Sequence, residues 1–310
     1  MRPPAGAPKE PQPGHKRNPR RGTKETDRLM KLGQILRDNA IIAAVFENGK
    51  CRPIPDYTLY DLVIRADVEK TDLATLGTRL ATSHWEESDP LIPIIPKEVW
   101  ACGCTYEMSA SFRDGEHDAR EGFYHYVYQP EHRPEVFFKG TARVCVGPNR
   151  PIGIRVDSKF TAPEPELAVL LGAKGKVYGY SIANDVSAWD IERENPLYLP
   201  QSKTYNGCLS LGPVWVTPDE IKDPYSLDMT CTIRRGDKVT FEGSTNTSKL
   251  GRKIETLVEY LYRSNNVPSG SVLLTGTGII VTEESALAPG DVCEISVPQI
   301  GTLSNPAVSV

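Results

Sequence analysis

The sequence predicts a β-rich α+β fold. Two observations carry this expectation. From about residue 99 onward, short runs rich in β-branched and aromatic residues recur between Gly, Pro, Asn and Asp. They fall at 136–139, 167–171, 177–182, 214–216, 229–233, 272–275 and 292–297. One amphipathic helix stands out over 250–262, with Ile254, Leu257, Val258 and Leu261 at i, i+3, i+4 and i+7. A doubly wound sheet would alternate strands with helices, and this chain does not.

In chain order, residues 1–26 differ in kind from the rest. The stretch from Met1 to Glu25 holds six prolines, many Arg and Lys, and almost no large apolar side chains. Such a segment buries too little surface to offset its ordering entropy, so it reads as a disordered extension or a mis-called start. A nucleic-acid or targeting arm is the alternative. No apolar stretch follows the basic residues, as a secretory signal would require. Residues 27–92 read as a small N-terminal α/β domain. Leu29, Leu32, Ile35 and Leu36 suggest a helix over 29–39, and a strand-like run at 41–46 leads into the turn Glu47-Asn48-Gly49-Lys50. Pro90, Pro93 and Pro96 punctuate a linker, and 93–310 reads as the catalytic domain. The segment 114–128 is a lid candidate.

A chain of 310 residues can bury a full core. Its net charge of −4 gives no global basic field for nucleic acid. Mean hydropathy is negative, and no run reaches the roughly 18 apolar residues of a membrane span. Seven scattered cysteines favour reduced thiols and a cytoplasmic location over a disulfide framework. Cys102 and Cys104 lack the second pair that a zinc site would need. Gly276-Thr277-Gly278 lacks the third glycine and the helix of a nucleotide fingerprint.

The chemistry concentrates in Pro163-Glu164-Pro165-Glu166, at the mouth of the apolar run 167–171. In extended chain, residues i and i+2 share a face, so Glu164 and Glu166 converge. Like charges that close raise each other's pKa, and a bound divalent cation removes the conflict. Asp185 supplies a third carboxylate and Lys203 a nearby amine. Three carboxylates leave positions open for water or an oxo-acid, which suits Mg²⁺. The bland alternatives are solvated acids at a strand end, a turn-capping Asp185 and a surface lysine.

Together with Gly103-Cys104-Thr105-Tyr106, Phe137-Phe138-Lys139, Gly179-Tyr180, Asn184-Asp185-Val186-Ser187, Leu211-Gly212-Pro213, Leu274 through Gly278 and Pro289-Gly290-Asp291, these residues resemble the fumarylacetoacetate hydrolase superfamily. The resemblance runs from about Trp100 to Asn305 and implies a mixed β-roll. It also implies a homodimer or higher homo-oligomer, and Mg²⁺, with Mn²⁺ or Ca²⁺ as variants, on Glu164, Glu166 and Asp185. The loop Glu194-Asn195-Pro196-Leu197-Tyr198-Leu199-Pro200-Gln201-Ser202-Lys203, with Arg133 through Lys139, is similar to the branch of 2-keto-3-deoxy-D-arabinonate dehydratases. That branch implies Glu135 and Lys203 as the catalytic pair, and dehydration of a 2-keto-3-deoxy sugar acid to 2,5-dioxopentanoate. The family also implies that Thr277 helps hold the substrate carboxylate. Arg113 is a candidate for the substrate carboxylate or distal hydroxyls, with an ordinary solvated or structural arginine as its alternative.

The chain departs from the family pattern in two places. The hydrolytic His-Glu pair expected after Tyr106 is replaced by Ser109 and Phe112. This favours elimination over hydrolysis unless Glu107, Glu116 or Glu121 substitutes. Trp189 stands where relatives commonly carry Arg. In the expected chemistry, a 2-oxo acid chelates the cation, which stabilises the enolate formed as a C3 proton leaves. Lys203, pushed toward neutrality by the cation, and Glu135 exchange protons at C3 and at the C4 hydroxyl. The competing functions are a C–C hydrolase of acylpyruvate or fumarylacetoacetate type, a tautomerase or decarboxylase on the same site, and a non-enzymatic scaffold. Neither nucleic acid nor membrane is an expected partner.

Overall fold

A computed structural model describes Met1, residues 30–116 and residues 122–310. The expected extension 1–26, apart from Met1, lies outside the described residues, as do Leu29, His117 and Glu121.

The chain enters as a three-stranded meander of β1 (Lys31–Arg37), β2 (Ala40–Glu47) and β3 (Lys50–Ile54). The helix expected over 29–39 is therefore a strand where it is described. The apolar spacing of Leu32, Ile35 and Leu36 imitates a helix, but the turn that follows decides the outcome. Asp38 and Asn39 have φ of 50° and 63°, and Asn48 and Gly49 have 50° and 77°. Two successive residues with positive φ make the tight turn whose twist suits a hairpin. Leu36 is left 59% exposed, a waste that a helix would have avoided.

Helices α1 (Leu59–Glu69) and α2 (Leu73–Leu80) follow. Thr58 and Asp61 form a reciprocal capping box at the start of α1, and Asp72 accepts from the Thr75 N–H at the start of α2. Next come β4 (Val99–Gly103), α3 (Glu107–Glu116), α4 (Phe123–Tyr128) and β5 (Glu135–Gly140). The lid candidate 114–128 thus takes in the last residues of α3, residues 117–121, which lie outside the described residues, and α4. Short strands β6 (Cys145–Val146), β7 (Ile152–Ile154) and β8 (Thr161–Ala162) lead to β9 (Pro165–Leu171) and β10 (Val177–Asp185). Then follow β11 (Ser187–Ala188), α5 (Trp189–Glu194), α6 (Leu199–Lys203) and β12 (Leu209–Val216). The chain closes with β13 (Asp228–Arg235), β14 (Lys238–Asn246), α7 (Ile254–Tyr262), β15 (Ser271–Thr277), β16 (Val292–Val297) and β17 (Gly301–Ser309). The expected helix over 250–262 is present but begins at Ile254, after a 3₁₀ turn at Thr247–Lys249.

Among the described residues, the larger sheet runs β3-β2-β1-β12-β10-β9-β15-β4-β5, with β6 alongside β12. A second sheet runs β14-β13-β16-β17-β7. The pairs β15·β4, β12·β6 and β17·β7 are parallel and the others antiparallel, so the fold is the mixed-sheet α+β class expected. One core lies between the sheets, with Leu167, Val169 and Ile182 meeting Ile295, Val297 and Leu303. The opposite face of the larger sheet receives Leu62, Val63, Leu73 and Leu76 from α1 and α2. Strand β9, buried at every position, lies between the two cores and reads as an unbroken apolar run for that reason.

The segment 27–92 joins this architecture directly, because β1 pairs with β12. Asp67 on α1 reinforces the junction. It accepts from the Ala173 N–H at 3.0 Å, the Tyr178 hydroxyl at 2.8 Å and the Ser269 hydroxyl at 2.6 Å.

Candidate metal centre and active site

The site forms where β9 and β10 reach the same end of the larger sheet. Ala183 pairs with Glu166, and the Asp185 N–H donates to the Glu164 carbonyl at 2.9 Å. The Glu164 N–H in turn donates to Asn184 Oδ1 at 3.0 Å. This pairing brings together the three carboxylates singled out from sequence. One oxygen each of Glu164, Glu166 and Asp185 lies within 4.8 Å of the others, and all three side chains are buried.

Each carboxylate has a donor outside the cluster. Trp189 Nε1 donates to Glu164 Oε1 at 3.0 Å, and Lys203 Nζ donates to Glu164 Oε2 at 2.6 Å. The Gly276 N–H donates to Glu166 Oε2 at 2.5 Å. Lys139, wholly buried, ion-pairs with Asp185 Oδ1, and Lys203 lies 3.6 Å from Asp185 Oδ2. Gly276 makes its approach with φ of 92°. A side chain there would collide with Thr105 and the Cys102 carbonyl, so glycine is required on both counts. Thr277 lies opposite Glu166 in the β15–β9 pairing, and its hydroxyl donates to the Ile279 carbonyl at 3.2 Å.

A second group of charges adjoins the first. Arg113 on α3 is 3% exposed; its Nη1 meets Glu135 Oε2 at 3.2 Å and its Nη2 meets Glu192 Oε1 at 3.0 Å. Its Nε has no partner among the described residues. Lys203 lies 3.8 Å from Glu192 Oε2 and donates to the Ser187 hydroxyl oxygen at 2.6 Å. Glu135, half-buried, is thus connected to Lys203 through Arg113 and Glu192.

Burial drives the Glu166 carboxyl well above its usual pKa, and the neighbouring Asp185 and Glu164 charges push the same way. Glu164 is raised for the same first reason, although Lys203 opposes the shift. Burial works against Asp185 too, but Lys139 and Lys203 outweigh it and hold that carboxyl below its usual value. For Lys203, burial favours the neutral amine, yet Asp185, Glu164 and Glu192 outweigh burial and raise its pKa. Without a cation, the protein's own charges favour Lys203 as an ammonium, and the lowering expected from a bound cation acts against them.

The donor set fits a hard divalent cation. Glu135, Glu164, Glu166, Asp185 and Glu192 face Lys139, Lys203 and Arg113. With all eight ionised, the cluster carries two excess negative charges, and one divalent cation complements them.

Sequence reasoning missed three participants. Lys139 was part of a motif but had no role, because its partner Asp185 comes from a distant strand. Glu192 sits three residues after Trp189 on α5, and these are the buried residues of that helix. The i, i+3 spacing was the available signal. Trp189, noted only as a departure from the family pattern, supplies a hydrogen bond to Glu164. Of the acids considered as stand-ins for the hydrolytic pair, Glu107 is exposed at the start of α3.

The comparisons agree with this geometry. The family model described as fumarylacetoacetate (FAA) hydrolase C-terminal matches residues 109–308. The chain is 51% identical over 217 residues to the 2-dehydro-3-deoxy-D-arabinonate dehydratase of Saccharolobus solfataricus, spanning 69% of this chain and 72% of that protein. It is 40% identical over 275 residues to a probable 2-keto-3-deoxyxylonate dehydratase of Haloferax volcanii, spanning 82% and 94%. A solved 2-keto-3-deoxy-D-arabinonate dehydratase complexed with magnesium and 2,5-dioxopentanoate matches with a TM-score of 0.76 and 40% identity. That match covers 91% of this chain and 99% of the other.

Proposed function

Because the chain belongs to the fumarylacetoacetate hydrolase family, we propose that it is a magnesium-dependent dehydratase of a 2-keto-3-deoxy sugar acid. The substrate is of the 2-keto-3-deoxy-D-arabinonate type and the product is 2,5-dioxopentanoate. The observation that carries this reading is the buried cluster of Glu164, Glu166 and Asp185 with Lys203 hydrogen-bonded to it, in a chain 51% identical to a dehydratase.

Glu164, Glu166 and Asp185 would hold the cation, which supplies Lewis-acid stabilisation of charge on the oxygens of a 2-oxo acid. The remaining work falls to side chains. Lys203 Nζ and the Glu135 carboxylate carry the two protons, one taken from C3 and one given to the departing C4 hydroxyl. Loss of the C3 proton and the C4 hydroxyl releases one water; loss of a C5 proton and return of a proton to C3 then moves the double bond to C4–C5, and the resulting enol becomes the aldehyde by losing its hydroxyl proton and taking one at C4. Arg113, with its Nε–H unpaired among the described residues, and Thr277, beside Glu166, are the proposed substrate contacts. The burial of the cluster keeps bulk water from competing for these groups.

The proposal keeps the division that the sequence suggests. Residues 93–310 carry every proposed site residue, while the described residues 30–92 extend the larger sheet through β1–β3 and cover one of its faces with α1 and α2. It includes a homodimer or higher homo-oligomer and a cytoplasmic location. All seven cysteines are free thiols, which suits a reducing compartment. No helix among the described residues is long and apolar enough to cross a membrane.

The test is a coupled assay with Mg²⁺ and a chelator control, offering 2-keto-3-deoxy-D-arabinonate, its L-isomer and an acylpyruvate. Metal-dependent 2,5-dioxopentanoate from a sugar acid supports the dehydratase. Cleavage of the acylpyruvate alone overturns it in favour of a C–C hydrolase.

A further inference from the structure

Trp189 opens α5 and is 4% exposed. Its indole serves two neighbours at once. The ring edge donates Nε1–H to Glu164 Oε1 at 3.0 Å. The ring also carries the Arg113 guanidinium, 5.6 Å from its centroid, and Arg113 goes on to grip Glu135 and Glu192. Phe112 packs against the indole edge-on at 5.2 Å, and Phe160 stacks at 6.4 Å, so the ring has little freedom to turn.

The chemical type of this donor matters. Glu164 Oε2 already meets the Lys203 ammonium at 2.6 Å. A second cationic donor on Oε1 would repel an incoming metal ion. The indole N–H is neutral, so it fixes the carboxylate without adding positive charge beside the centre. A flat aromatic body with one polar edge can do this while also supporting a guanidinium.

We propose that Trp189 is a positioning residue that orients Glu164 for a divalent cation and, through Arg113, holds the metal-binding and proton-transferring groups in one arrangement. The inference rests on the reading of the site as a divalent-metal centre. Partners that hydrogen-bond to ligating carboxylates typically contribute 10–100-fold to metal affinity.

The test is calorimetric titration of the full-length protein with Mn²⁺, alongside thermal melting. Trp189→Phe retains a ring for Arg113 and loses the N–H; it should bind Mn²⁺ about tenfold more weakly. Benzothienylalanine at position 189 replaces N–H by sulfur within the same ring outline, and should show the same loss without a packing change. Phe160→Leu, which thins the packing on one side of the ring but leaves Phe112 and the N–H, should melt lower and lose much less Mn²⁺ affinity than Trp189→Phe. Trp189→Leu loses the ring as well, and kcat at saturating metal should fall about tenfold below that of Trp189→Phe. Wild-type affinity in both N–H-deleted proteins overturns the role toward Glu164, as does an equal loss in Phe160→Leu. Equal kcat in the Leu and Phe variants overturns the role through Arg113. A wild-type protein that takes up no Mn²⁺ overturns the metal-centre reading itself, a result distinct from the others.

Discussion

The carboxylate of Glu135 occupies the space that a side chain on Gly103 would fill. The two residues face each other across the β4–β5 pairing, and a Cβ on Gly103 would overlap Glu135 Oε2 and crowd Arg113 Nη1. Gly103→Ala should therefore dislodge Glu135 from Arg113 while leaving the three metal carboxylates in place. Steady-state kinetics should show kcat/KM lower by at least about tenfold, the scale of a misplaced proton-transfer group. Unchanged kinetics would mean that the seat beside Gly103 is irrelevant to turnover.

Replacing Lys203 with Met removes the amine and retains much of its length. Turnover should drop by about 10³-fold or more, in the upper range for a proton-transfer group. Mn²⁺ affinity by calorimetry should not weaken, because Glu164 and Asp185 lose a competing cation. Near-normal turnover would remove Lys203 from the mechanism.

Among the three proposed ligands, Glu166 is the carboxyl that burial most strongly biases toward its protonated form, and a bound cation would favour its ionised form. Addition of Mn²⁺ should raise the thermal midpoint, in proportion to about 2.7 kcal/mol of stabilisation at a hundredfold excess over Kd. In Glu166→Gln the shift should largely vanish, and a chelator should reverse it in the wild type. A shift of equal size in both proteins would exclude Glu166 as a ligand.

Away from the site, Asp67 joins α1 to the loops after β9 and before β15. Its removal leaves Ala173 N–H and the Tyr178 and Ser269 hydroxyls without their acceptor. Asp67→Ala should cost about 2–3 kcal/mol in urea unfolding, the scale of unsatisfied partly buried donors. An unchanged urea midpoint would show that water replaces all three bonds.

Asp291 provides the pH-dependent counterpart. Its side chain is buried. Burial alone would raise its pKa, but the paired bonds from Arg235 at 2.8 and 2.9 Å and the Ala288 N–H outweigh burial and lower it. A carboxyl with a lowered folded pKa adds stability above its unfolded value of about 3.9, and that contribution fades as pH falls through the folded value. The stability difference between wild type and Asp291→Asn should be constant near neutrality and shrink below about pH 4. A difference that persists unchanged into acid would contradict the assignment.

The sequence made the convergence of Glu164 and Glu166 legible because strand alternation is local: the two are two residues apart on one chain segment. Strand β9 and helix α7 were legible for the same reason, through an unbroken apolar run and a 3.6-residue period. Helix-like spacing at Leu32, Ile35 and Leu36 misled, because Asp38 and Asn39 commit the chain to a hairpin whose partner lies further on. The start signals of α1 and α2 were present in Thr58, Asp61 and Asp72 and were not read. Lys139 and Glu192 were invisible as site residues because their ion pairs close across distant segments, and only the assembled sheets bring them within reach.

Glu166 and Asp185 lie on neighbouring central strands, whereas Glu135 lies on β5, the border strand of the same sheet. Border strands open locally far more readily than central ones. If Glu166 and Asp185 hold the cation, as proposed, its capture is tied to the central strands and should persist until the sheet melts. Glu135, unlike the buried Lys203, has a looser footing, so temperature or mild denaturant should silence turnover before the protein releases its ion.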